Sequence, residues 1–147
     1  DLDTSRGLGD VYKRQPRIAE AIGWKAAMDY LEKVDLDAEH HRLLEIARWT
    51  AAALRDLGCT VYGRHGDLDS AVVSFLHPAL HAEDMAHLLD AQGYAVRTGH
   101  HCAQPLLHRL GISSTVRASF YLYNTMEEAE GFVKALEHVL DRFGGSS

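Results

Sequence analysis

The sequence predicts an α+β fold: a small sheet covered mainly on one face by helices. Three observations carry that expectation. Apolar runs rich in β-branched residues alternate unevenly with segments whose apolar residues recur every three or four positions, without the regular βαβ rhythm of a doubly wound sheet. The strand-like runs are short and bounded by glycines and polar clusters. The chain has 147 residues, 46% hydrophobic and 24% charged, which suits one core in an ordinary globular domain.

Residues 1–15, "DLDTSRGLGDVYKRQ", follow neither period and are set apart as a non-native or disordered leader. From Pro16, the residues Ile18, Ala21, Ile22, Met28 and Leu31 recur at helical spacing and predict a helix to about Val34. "DLD" at Asp35 to Asp37 supplies a cap and early negative charge for a second helix, ended by Gly58. Its apolar face is Leu43, Leu44, Ile46, Ala47, Thr50, Ala51 and Leu54, and this helix pair is expected to pack beside the sheet.

"CTVYG" and "SAVVSFLH" read as strands joined as a hairpin or lying as near neighbours, with a polar turn at Arg64 to Asp69. "HAEDMAHLLDAQG" places Met85, Leu88 and Leu89 on one helical face, stops at Gly93 and leads into a strand "YAVRT". Pro105 can open a short helix to Leu110, Gly111 breaks it, and "STVRASFYLY" predicts a further strand. Thr125-Met126-Glu127-Glu128 matches a capping box, and Phe132, Val133, Leu136, Val139 and Leu140 continue the last helix as an apolar stripe. Residues 144–147, "GGSS", are expected to be a disordered tail.

A net charge of -6 with both signs interspersed disfavours nucleic-acid and acidic-membrane partners. No apolar run approaches the ~18 residues needed to span a bilayer, and no secretory signal pattern is seen, so a cytoplasmic location is expected. Two cysteines, Cys59 and Cys102, make no disulfide framework and read as free thiols. Cys59 begins a strand between Leu57 and Val61 and is expected in the core.

The stretch "RTGHHCAQPLLHRL", Arg97 to Leu110, concentrates chemistry, and three readings stand for it. A metal would need His100, His101 and Cys102 together, with His108 as a further ligand. Adjacent residues point in different directions, however, and zinc ligands are usually paired two to four residues apart. A nucleophile needs less: the thiolate is favoured beside cations and helix N-termini, and Cys102 lies just before the Pro105 helix and near Arg97, His100 and His101. Gly99 would let the loop carry the sulfur outward. The third reading is a half-buried cysteine among surface histidines. Arg117 in "VRASF", taken alone, reads as an exposed strand residue.

"RTGHHCAQPLLHRLG" followed by "STVRASFYLYNTMEE" resembles the C-terminal signature of the SufS-type, or group II, cysteine desulfurases, which depend on pyridoxal phosphate. More loosely, the likeness runs from Pro16 to Phe143. It implies the C-terminal small domain of a fold-type I pyridoxal phosphate enzyme of the class-V aminotransferase group, with its lead-in helix. By this resemblance Cys102 is the nucleophile that takes sulfur from L-cysteine as a persulfide, releasing alanine. Arg117 would clamp the substrate carboxylate, a role that suits a bidentate donor. Arg97 and His100 would shape or charge the pocket, His101 and Gln104 would be loop scaffold, and Asn124 and Thr125 would cap the last helix. The implied partners are a SufE- or SufU-like sulfur acceptor serving iron-sulfur cluster assembly and, in full-length enzymes, a second copy of the chain.

The departures from the family pattern are as informative. The cofactor lysine of the family follows a Ser-x-His pattern, and Lys13, Lys25, Lys33 and Lys134 all lack that context. Arg14 and Gln15 stand where the family has a Gly-Thr pair that helps to hold the cofactor phosphate. The expectation is therefore a part of a cysteine desulfurase, inactive alone. A sulfur-carrier or interaction domain and a small zinc-binding module are the alternatives.

Overall fold

The computed structural model describes residues 17–63 and 69–144, in two compact units divided between Leu36 and Asp37. The expected leader, most of the Arg64 to Asp69 turn and residues 145–147 of the tail lie outside the described residues.

The first unit contributes helix α1 (Ile18–Leu31), where the spacing predicted one. The expected stripe is absent. Trp24, Ala26, Ala27 and Tyr30 fall between the positions that define it, so apolar residues surround the helix. Ile18, Ile22, Trp24, Met28 and Tyr30 are all exposed, and no residue of α1 is buried.

In the second unit, α2 (Leu36–Asp56) buries Leu43, Leu44, Ile46, Ala47, Thr50, Ala51 and Leu54, the full face read from the sequence. Gly58, at φ 83°, ends it in a Schellman arrangement: its N–H donates to the Arg55 carbonyl and that of Cys59 to the Leu54 carbonyl. Strands β1 (Thr60–Tyr62) and β2 (Val72–Leu76) then pair antiparallel, as expected of neighbours. Next come α3 (Ala82–Asp90), β3 (Arg97–Gly99), α4 (Gln104–Leu110), β4 (Thr115–Ser119) and α5 (Met126–Phe143). The four strands form one antiparallel sheet in the order β1-β2-β4-β3.

One sheet face is the core. Val73 and Phe75 of β2 and Val116 and Ala118 of β4 pack on Ala47, Ala51 and Leu54 of α2, Met85 and Leu89 of α3, and Phe132 and Leu136 of α5. Phe132 meets Phe75 and Tyr94 edge-on, with ring centroids 6.2 and 6.0 Å apart, a geometry that adds to plain area burial. Helix α5 starts with the expected capping box: the Thr125 hydroxyl accepts from Glu128 N at 3.2 Å, and the Glu128 carboxylate accepts from Thr125 N at 3.0 Å. Of the stripe, Phe132, Leu136 and Val139 are buried and Val133 and Leu140 half-buried.

Two strand expectations need correction. "YAVRT" pairs only from Arg97, because Tyr94 and Val96 pack against the core outside the ladder and β4 offers partners only to Arg97–Gly99. "STVRASFYLY" stops at Ser119, where the Phe120 N–H turns to the Ala71 carbonyl. Asn124 then closes a turn by accepting from Tyr121 N at 2.8 Å. Asn124 thus braces the segment before α5, with Nδ2 3.2 Å from the Glu128 carboxylate, and Thr125 alone is the N-cap.

Candidate active site

The site lies on the sheet face opposite the core. Directly paired residues of antiparallel strands point to the same side. The register places Tyr62 opposite Ser74, Ser74 opposite Arg117 and Arg117 opposite Arg97, one row across all four strands. Above this face, α4 presents Leu106, Leu107 and Leu110, enclosing a cleft of about 490 Å³ whose walls include Tyr62, Val72, Ser74, Thr115 and Arg117. Of the α4 leucines, Leu107 is buried.

The loop between β3 and α4 closes one end. It leaves the strand through Gly99 at φ 113°, after which His101 and Cys102 sit at φ 51° and 57°. Two consecutive non-glycine residues in the left-handed region cost roughly 1–2 kcal/mol each and persist only where the surroundings over-determine them. They do here. Cys102 N donates to His100 Nδ1 at 3.1 Å, Ala103 N to the His100 carbonyl at 2.8 Å, and His101 Nε2 lies 3.1 Å from the Thr115 carbonyl of β4. On the far side, Leu106 and Leu107 N–H groups donate to the Ala103 carbonyl, and α4 begins with Pro105 in its first turn.

A carbonyl oxygen can only accept, so His101 Nε2 carries the proton and Nδ1 is the acceptor. Burial holds the His101 pKa below the usual imidazole value. The charges of Arg117, Arg97 and His100 act in the same direction, and the bond to Thr115 opposes them. The ring is therefore neutral at pH 7. Its Nδ1 is buried without a partner, and so is Nε of Arg117.

The structure brings Arg117, His100 and His101 together on the cleft wall. Arg117 is half-buried, which corrects its bare reading as a solvated strand residue. Arg97 is exposed on the edge strand beside Arg117 but outside the cleft lining. The thiol of Cys102 is exposed and also lies outside the lining, whereas Cys59 is buried at 6% exposure and its pKa is pushed up to about 11 by that burial. Gln104 is exposed as the first residue of α4. Sequence reading passed over Tyr62 and Ser74, whose only signal is the strand register. Among the described residues no three His, Cys, Asp or Glu side chains gather as metal ligands, and no helix is long and apolar enough to cross a membrane.

A sheet with helices on its core face and a cysteine-bearing turn over the other defines the class. The aminotransferase class-V family model matches residues 11–132, and the chain belongs to that family. Among curated relatives, a probable cysteine desulfurase of Halalkalibacterium halodurans is 45% identical over 88% of this chain and 32% of its own length. One from Staphylococcus epidermidis is 40% identical over 87% of this chain and 31% of its own. The apo cysteine desulfurase of Thermococcus onnurineus NA1 superposes with a TM-score of 0.82 at 38% identity, covering 87% of this chain and 32% of that one. The cysteine desulfurase CsdA of Escherichia coli, in an S-sulfonic acid form, superposes with a TM-score of 0.81 at 33% identity, covering 88% and 32%. The chain thus spans about a third of the length of these relatives.

Membership implies pyridoxal phosphate in full-length relatives. The residues described here do not by themselves fit that group: Lys25, Lys33 and Lys134 are exposed, none lines the cleft, and Lys25 is paired with Asp29 at 2.6 Å.

Proposed function

We propose that the chain is the C-terminal part of a cysteine desulfurase, with Cys102 as the sulfur acceptor and Arg117 as the holder of the substrate carboxylate. The observation that carries this reading is the exposed Cys102 on an over-determined left-handed turn beside a cleft whose buried Arg117 Nε–H has no partner. Arg117 offers parallel donors that match a carboxylate. As a thiolate, the Cys102 sulfur attacks the sulfur of bound L-cysteine. The S–S bond forms, the Cβ–S bond breaks, and the electron pair left on carbon takes up a proton to give alanine, leaving a persulfide on Cys102. Stabilising charge on that carbon is the chemistry pyridoxal phosphate supplies when bound. The described residues of this chain do not supply it, so residues 17–144 alone are expected not to release alanine from cysteine.

Arg97 adds positive charge beside Arg117, and His100 shapes the turn by accepting from the Cys102 N–H. The exposure of the Cys102 thiol suits transfer to a protein acceptor of the SufE or SufU kind, in the cytoplasm and in the service of iron-sulfur cluster assembly. The same exposure favours a second reading, a sulfur-carrier domain that receives a persulfide made elsewhere.

The test uses a full-length desulfurase carrying residues 16–143 as its C-terminal part. Arg117→Lys keeps the charge but loses the fork, and kcat/KM should fall about ten- to a hundredfold. Cys102→Ser should still bind cysteine but form no persulfide, read by mass spectrometry. Unchanged kcat/KM in Arg117→Lys sinks the role of Arg117. A Cys102→Ser enzyme that still releases sulfide at the parent rate sinks that of Cys102.

A further inference from the structure

Arg117 and His101, which both line the cleft, each hold one buried atom without a partner, and the two are complementary: Arg117 Nε–H is a donor and His101 Nδ1 an acceptor. Leaving either unpaired away from water costs roughly 1–3 kcal/mol, so a ligand that satisfies both is favoured over one that satisfies either alone. Arg97 stands directly across the ladder from Arg117, an opposition of like charges that an anion between them relieves. The facing wall, Leu106, Leu107 and Leu110 of α4, is apolar. A ligand for this cleft therefore carries an anionic acceptor at one end and, at the other, a weakly polar donor that tolerates an apolar wall. A thiol meets that description better than a hydroxyl, because it behaves as a small hydrophobe with a weak S–H donor.

We propose that His101 is a specificity-determining residue, its Nδ1 accepting the S–H of the amino acid whose carboxylate Arg117 holds. Cysteine then satisfies both orphaned atoms and alanine only one, so the cleft distinguishes the substrate from its desulfurized product. The proposal deepens the desulfurase reading and rests on it. The tie from Nε2 to Thr115 is what orients the ring: it joins residues 14 apart in sequence and fixes His101 to the strand that carries Arg117.

The test is a titration of this chain, with its histidine and arginine side-chain nitrogens ¹⁵N-labelled, at pH 7. The ligands are 3-mercaptopropionate and propionate, which differ by one thiol. Both should move the Arg117 Nε–H resonance. Only the thiol ligand should move His101 Nδ1, and it should bind about two- to tenfold more tightly. His101→Gln, which keeps an amide N–H for the Thr115 carbonyl but removes the Nδ1 acceptor, should bring the two ligands to equal affinity while the Thr115 and Cys102 backbone resonances stay in place. Equal affinities in the parent chain, an unmoved Nδ1, or discrimination that survives in His101→Gln overturns the proposal and leaves Arg117 its role. An Arg117 resonance that responds to neither ligand overturns the carboxylate reading itself. The parent-chain titration decides the matter even if the variant fails to fold.

Discussion

Cys59 and Cys102 are the same side chain in opposite settings. Cys59 follows the glycine that ends α2 and joins the cluster of Leu54, Val73 and Phe75, where burial holds the thiol protonated to about pH 11. Cys102 sits outside the core in a left-handed turn, its backbone tied by its neighbours and its sulfur in solvent. One site is held by apolar contact that excludes water, the other by hydrogen bonds that pin the backbone and leave the side chain open. The lesson is that a thiol's access to solvent here follows its surroundings: the core shuts one away, and a braced turn presents the other.

That contrast is most directly broken by alkylation. In the native chain iodoacetamide should label Cys102 about a thousandfold or more faster than Cys59, because Cys59 must wait for an opening that costs much of the domain's stability. Peptide mass mapping over time reads the ratio, and comparable native rates would collapse the distinction. In denaturant the two should react alike.

Leu54→Ala should remove about 2–5 kcal/mol of stability, since Leu54 is fully buried in the cluster that holds Cys59. Chemical denaturation measures the loss. The variant should speed labelling of Cys59 and leave Cys102 unchanged, and equal acceleration at both would mean that the turn depends on the core.

The contrast also has a pH signature. The Cys59 thiol rises from an ordinary 9.0 to about 11 in the folded chain. Its contribution to stability is therefore complete below pH 9 and is lost as pH rises from 9 towards 11, by about 2–3 kcal/mol. Urea unfolding at pH 8 and pH 11 should show that loss in the parent and not in Cys59→Ala. Identical slopes would place the thiol in contact with water.

Smallest is the expected gain at the turn. Cys102→Gly removes the side chain from a left-handed residue and should stabilise the domain by about 1 kcal/mol, seen as a raised denaturation midpoint. A loss instead would show that the exposed side chain contributes packing to the turn.

Much of this was legible along the chain because it depends on neighbours three to five residues away. The buried face of α2, the Thr125 capping box, the glycine that ends α2 and the inward-facing residues of α5 all follow from helical period and cap chemistry, which are local. The placing of Cys59 in the core follows from the apolar residues on either side. The cysteine loop was recognisable because its residues are contiguous.

Tertiary structure decided the rest. Which parts of "YAVRT" and "STVRASFYLY" form ladders depends on where a partner strand ends, a non-local condition that no residue preference encodes. Register alone aligns Tyr62, Ser74, Arg117 and Arg97, and a one-residue slip of any of the four strands would send its member of the row to the other face. Arg117 lines a cleft with α4 and has a buried Nε, and His101 is held by a carbonyl 14 residues later in the chain. The sequence by itself determined where the helices lie, the buried faces of α2 and α5 and which residues the loop gathers. Only the packed sheet decided which donors and acceptors meet across it, because contact between distant residues is set by closure of the whole chain and not by local period.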